Sequence, residues 1–144
     1  MFVLCMTSFQ AFAQDSFTPR QLALRSDIQN FLKQEGFLPE IDSDGDIKFK
    51  REGNTYYIRV DKSNKSPMYV CLRSYYSYND DLTKTKIKEA LPDLNLWRAV
   101  KVVMLDEQFA VQADMFLTSS EAFKTVFYKI IGIVADVEDE VGKL

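Results

Sequence analysis

Ile47-Lys-Phe-Lys-Arg51, Thr55-Tyr-Tyr-Ile-Arg-Val60 and Met68-Tyr-Val-Cys-Leu-Arg-Ser-Tyr-Tyr76 are the runs whose reading decides this fold. Each alternates apolar and polar residues at a period of two and is bounded by turn residues, so the stretch predicts a three-stranded antiparallel meander. Gly53-Asn54, with Gly first as a type II′ turn requires, predicts a two-residue loop that sets Arg51 opposite Tyr56, Phe49 opposite Ile58 and Ile47 opposite Val60. If the loop from Lys62 to Ser66 closes in matching parity, Met68, Val70 and Leu72 join the same apolar face. One side of the ribbon then needs cover.

The opposite side carries Lys48, Lys50, Tyr57, Arg59, Tyr69, Cys71, Arg73 and Tyr75. In the expected register Lys48 faces Arg59, a like-charge pair that is unfavourable unless a carboxylate comes near. Asp61 or Glu40 could supply it from within the chain, or an acidic, partly aromatic segment of a partner could supply it from outside. Tyr and Arg are the types enriched at binding hot spots. A solvated face with tyrosines chosen for strand propensity is the plainer alternative. The candidate protein-binding residues are therefore Lys48, Tyr57, Arg59, Tyr69, Arg73 and Tyr75, with Trp97 beside a second, exposed groove. As the lone tryptophan, Trp97 reads first as a packing anchor.

Outward from the ribbon, Thr18-Pro19-Arg20-Gln21 combines an N-cap, a Pro at the first helical position and a capping-box Gln, with Phe17 placed to staple onto Leu22. A helix with Leu24, Ile28, Phe31 and Leu32 on one face should follow and end at Gly36. Phe37 to Ile41 is a short strand, confined to an edge by Pro39. Asp42-Ser-Asp-Gly-Asp46 has carboxylates at alternate positions but places Ile47 and Gly53 where a calcium loop needs Gly and Glu, so it predicts a hairpin turn and no metal site.

Asn79-Asp-Asp81 should open a helix from Leu82 to Leu91 that Pro92 stops or kinks. A second hairpin follows, Ala99 to Leu105 and Phe109 to Phe116. The consecutive apolar residues Val102 to Leu105 predict cover on both faces by the middle helix or a second copy. Thr118-Ser-Ser-Glu121 reads as another capping box, opening a last helix with Phe123, Val126, Phe127, Ile130, Ile131, Val134, Val137 and Val141 at helical spacing. Gly132 within it suggests close approach to the sheet, and the acids from Asp136 to Glu140 suggest fraying at its C-terminal end.

A chain of 144 residues with 47% hydrophobic content buries a single core without staples. Net charge −3 argues against nucleic acid or an anionic membrane as partner. Histidine is absent, which removes the commonest general base, the Ser-His and Cys-His dyads and the usual zinc ligand. Residues 1–13 are uncharged, carry the apolar run Phe2 to Met6 and end in Ala11-Phe-Ala13, the pattern of a secretory signal peptide lacking its basic start. The run is too short to span a membrane. The expectation is a cleaved leader, a single domain over residues 14–144, and a periplasmic or secreted location. Cys71 is then the sole cysteine and reads as a small semi-buried hydrophobe, not a reactive thiol.

The order helix, meander, helix, hairpin, helix resembles the fold of type III secretion chaperones and of YbjN-type domains. The residues that carry the likeness are the capped helix ending at Gly36, Phe37-Leu-Pro-Glu-Ile-Asp42, the Asp44-Gly45 turn, Phe49, Tyr57-Ile58, Ala99-Val-Lys-Val102 and the closing helix from Phe123 to Val137. The resemblance implies an α+β domain with strand and helix order α-β-β-β-β-α-β-β-α. It further implies a non-enzymatic module that binds protein segments and often forms homodimers. No cofactor is expected. A small-ligand sensor with an apolar pocket between sheet and helices is the alternative, and an enzyme the reading with least to support it, since no pair of reactive groups stands at suggestive spacing.

Overall fold

A computed structural model describes residues 16–144, so the leader read over residues 1–13 lies outside the described residues. The chain order is α1 (Pro19–Gln34), β1 (Glu40–Ile41), β2 (Ile47–Arg51), β3 (Asn54–Lys65), β4 (Met68–Ser77), α2 (Lys84–Leu94), β5 (Val100–Met104), β6 (Gln108–Leu117) and α3 (Ser120–Val141). The strands make one six-stranded antiparallel sheet in the order β1-β2-β3-β4-β6-β5. The meander and the second hairpin are thus joined by a β4–β6 ladder from Met68↔Leu117 to Ser77↔Gln108. This is the expected α+β architecture.

Side-chain parity follows the sequence reading, but the first hairpin is shifted by two residues. Ile47 pairs with Ile58 and Phe49 with Tyr56, and the loop is Glu52-Gly53, both with positive φ (51° and 87°). Two successive positive φ values make this a type I′ turn in place of the expected type II′ turn one residue further on, and both primed forms match the twist of the strands. Because side chains repeat every two residues, a two-residue shift leaves each on its own face. It changes opposition: Lys48 faces Tyr57, and Arg59 faces Cys71 on the other side. The expected Lys48–Arg59 clash does not occur.

Inner-face side chains of all the long strands pack with Leu24, Ile28, Phe31 and Leu32 of α1, Ile87 and Leu94 of α2, and the apolar stripe of α3 into one core. Aromatic edges meet at its centre, where Phe31 lies 5.3 Å from Phe127 at an interplanar angle of 85° and Phe37 5.3 Å from Phe49 at 65°. Thr18 and Gln21 form the expected capping box. Gln21 is fully buried and also donates to the carbonyls of Asp61 (2.8 Å) and Asn64 (3.0 Å), which ties α1 to the irregularity in β3 between Val60 and Lys65. Phe17 packs against the core with its ring between Arg25 (4.3 Å) and Lys62 (5.2 Å), and Leu22 is half exposed.

Other local expectations move by small steps. Thr83, not Asn79, caps α2, because the Asn79 side-chain Oδ1 accepts from the amides of Asp81 and Leu82 in a preceding turn. The helix carries Pro92 in its last turn and continues to Leu94. Ser119 caps α3 by accepting from Ala122, so Glu121 lies within the first turn and pairs with Lys124. A Cβ at Gly132 would meet nothing within 4 Å, so close approach is not its reason. Strand β5 is an edge: Val100 and Val102 face the core, whereas Val103 is half-buried on the outer side beside Ala110. The side chain of Asn95 accepts from the Val102 amide at 2.6 Å, occupying part of that edge.

The acidic end of α3 is fastened to the sheet. Glu138 accepts from Tyr56 at 2.8 Å and Asn54 at 3.1 Å through one carboxylate oxygen, and from Ser74 through the other. Tyr56 and Ser74 are buried, and burial and the Glu138 carboxylate keep the Tyr56 phenol well above its usual range.

Candidate functional site

With α1, α2 and α3 all packed on the inner face, the outer face of the sheet bears the remaining half of each strand's side chains. Lys48 comes from β2, Tyr57 and Arg59 from β3, and Tyr69, Arg73 and Tyr75 from β4, so six of the seven expected residues share this face. Trp97 does not. It follows α2 near Leu94, Glu140 and Leu144 and is 37% exposed, bordering a separate shallow hollow.

Tyr57 and Tyr75 meet edge-to-face at 5.4 Å, and the Arg73 guanidinium lies 5.7 Å from the Tyr75 ring while its Nη1 donates to the Tyr75 hydroxyl at 2.9 Å. These contacts fix three long side chains in advance, which lowers the ordering cost of binding. The like charges are quenched locally. Lys48 pairs with Glu40 of β1 at 3.0 Å, and Arg59 lies 3.7 Å from Asp61. Burial works against the Asp61 carboxylate, but hydrogen bonds from Asn64 and Ser63, with Arg59 beside it, hold it below its ordinary range.

The β4–β6 ladder adds residues that sequence reasoning missed. Asp114, opposite Cys71, accepts from the Tyr69 hydroxyl at 2.6 Å and from Gln112 at 2.9 Å, and lies 2.5 Å from Lys101. Burial alone would raise its carboxyl, yet Lys101 and Tyr69 bring it below the usual carboxylate range. Phe116 stands opposite Tyr69, 5.4 Å from its ring, and is 64% exposed. The alternation Ala110, Gln112, Asp114, Phe116 was visible in the sequence, but nothing there says which strand this face would adjoin.

Cys71 is buried between these groups with its thiol unbonded to another cysteine, and burial pushes it up to about 11. A thiol so raised is protonated at neutral pH and a poor nucleophile. The Asp42 to Asp46 segment is a hairpin turn: one Asp42 carboxylate oxygen accepts from the amides of Asp44 (3.0 Å) and Asp46 (2.9 Å). Among the described residues, no group of three or more His, Cys, Asp or Glu is arranged to hold a metal ion, and no helix is long and apolar enough to cross a membrane.

No protein-family model matches this chain, and no curated protein matches it by sequence. Among solved structures it is similar to the crystal structure of YbjN from E. coli, described as a candidate transcription regulator. The TM-score is 0.62 at 12% identity, over 82% of this chain and 90% of that one. So low an identity leaves the likeness one of backbone architecture. The chain has the YbjN-type fold.

Proposed function

We propose that this protein is a non-enzymatic binding module that receives a segment of another protein on the outer face of its sheet. The observation that carries the reading is Phe116, a large apolar side chain exposed beside Tyr69 on a face already stiffened by the Tyr57–Tyr75–Arg73 contacts. An exposed aromatic flanked by ordered Tyr and Arg side chains is the usual composition of a hot spot. Since Lys48, Arg59 and Lys101 already have carboxylates beside them, the partner segment should bring apolar or aromatic side chains to the centre and leave charge to the rim. The description of YbjN as a candidate transcription regulator agrees with a binding role.

Phe116→Glu provides the test. The substitution is on the surface, so the melting temperature should stay near that of the unaltered chain. A partner that co-purifies stoichiometrically with the unaltered protein from its native host should be lost. Retention of that partner by Phe116→Glu would remove the outer face from consideration.

We also propose export, with residues 1–13 cleaved after Ala13. The intact mass of the protein recovered from the extracytoplasmic fraction should begin at Gln14; a mass that retains these residues counts against it.

A further inference from the structure

At the end of the outer face where β1 turns into β2, a cavity of ≈ 340 Å³ lies between the turn and strands β3 and β4. Its walls are held from behind. The Arg25 guanidinium donates to the Gly45 carbonyl and anchors the turn, while Gln21 clasps the backbone at Asp61 and Asn64. Phe17, gripped by Arg25 and Lys62, forms an apolar rim.

Charges of both signs line this space, Asp44, Asp46 and Asp61 with Arg59, Lys62 and Arg73, and of these Arg59 and Asp61 lie 3.7 Å apart. Asp46, half-buried on the turn, takes part in no ion pair and accepts no side-chain hydrogen bond among the described residues, although Arg59 and Arg73 both act on its charge. Burial first, then Asp42 and Asp44, hold its carboxyl above the usual range. On the strand side, and among the described residues, the one ion pair of Arg59 is the 3.7 Å contact with Asp61, and Arg73, whose Nη1 donates to Tyr75, keeps a buried Nε with no hydrogen-bond partner. A simple anion here would sit against Asp46, and a simple cation against two guanidiniums. A molecule carrying both charges satisfies both walls at once.

We propose that this cavity binds a small zwitterion of the α-amino-acid class, with its carboxylate toward Arg59 and Arg73 and its ammonium toward Asp46. Tyr75 and Phe17 flank the ligand's side chain. The volume lies at the low end of the roughly 300–1,000 Å³ typical of ligand sites, which suits a ligand of this size. The cavity shares Arg59, Arg73 and Tyr75 with the proposed docking face but not Phe116, so Phe116→Glu tests the docking reading and Asp46→Asn the cavity.

The test is calorimetric titration of the full chain with the free L-amino acids, together with N-acetyl and amide derivatives that each carry one charge. At least one free amino acid should bind saturably, and its one-charge derivatives about tenfold more weakly or worse. Asp46→Asn and Arg59→Gln should each weaken binding by about tenfold or more, while Phe116→Glu leaves it unchanged. The unliganded melting temperature of each variant reports folding. Backbone amide shifts of the unaltered protein on titration give a readout that needs no variant, and should centre on Asp46, Arg59 and Arg73. Absence of binding by every free amino acid at millimolar concentration, equal binding of one-charge forms, unaltered affinity in Asp46→Asn, or shifts centred elsewhere would each overturn the proposal.

Discussion

Replacing Glu138 by Ala tests whether a polar cluster inside the core, and not the apolar stripe alone, holds the end of α3 on the sheet. The substitution removes the acceptor of three hydrogen bonds, and two of the donors, the hydroxyls of Tyr56 and Ser74, belong to buried residues. Leaving a buried hydroxyl unpaired costs roughly 1–3 kcal/mol, so the two together cost roughly 2–6 kcal/mol before relaxation. Two effects oppose this. Removing a negative charge near a helix C-terminus returns about 0.3–1 kcal/mol, and water entering the vacated space can satisfy part of the cluster. The net expectation is a loss of about 2–4 kcal/mol, because desolvated hydroxyls outweigh a partly screened dipole term. In urea titrations followed by circular dichroism at neutral pH, a slope of about 2 kcal/mol/M puts the fall in midpoint at about 1–2 M. Tyr56→Phe deletes one donor cleanly, so a double-mutant cycle with Glu138→Ala should show a coupling of about 1–2 kcal/mol. A Glu138→Ala protein as stable as the original, or an additive cycle, would refute the claim that these bonds fasten the helix.

Three further outcomes follow from single positions. Gly132→Ala should stabilise the protein by about 0.5–1 kcal/mol in the same urea assay, since the added methyl meets open space and the helix gains propensity. Glu52→Asn should add about 0.5–1 kcal/mol, because Asn tolerates the positive φ of this turn far better than Glu, and the exposed Arg51–Glu52 pair it removes is worth little. The Asp114 carboxyl, depressed by Lys101 and Tyr69, contributes stability that is present above its unfolded-state value and is lost as pH falls through its lower folded value. Lys101→Met should raise that carboxyl in an NMR titration and move the onset of acid destabilisation to higher pH; an unmoved titration would show that Lys101 does not set it.

Local chemistry carried much of this structure in the sequence. The caps at Thr18, the turn at Asp42 to Asp46, the apolar stripe from Phe123 to Val141 and the pleat of the meander all depend on neighbours within a few residues or on a simple period. Pleat parity survived a misplaced turn, since a shift of two residues preserves which face each side chain takes, and so Tyr57, Arg59, Tyr69, Arg73 and Tyr75 were assigned outward correctly.

Only the tertiary structure decided which strands adjoin. The β4–β6 ladder unites segments about forty residues apart, and through it Asp114 and Phe116 come to Tyr69. Distance in space likewise gave Glu138 its buried partners on β3 and β4, brought Asp46, Arg59 and Arg73 to the lining of one cavity, and left Trp97 away from the other candidates. Periodicity reports the face on which a residue lies but says nothing of its neighbour across the sheet, because strand pairing is settled by long-range packing and not by any local preference.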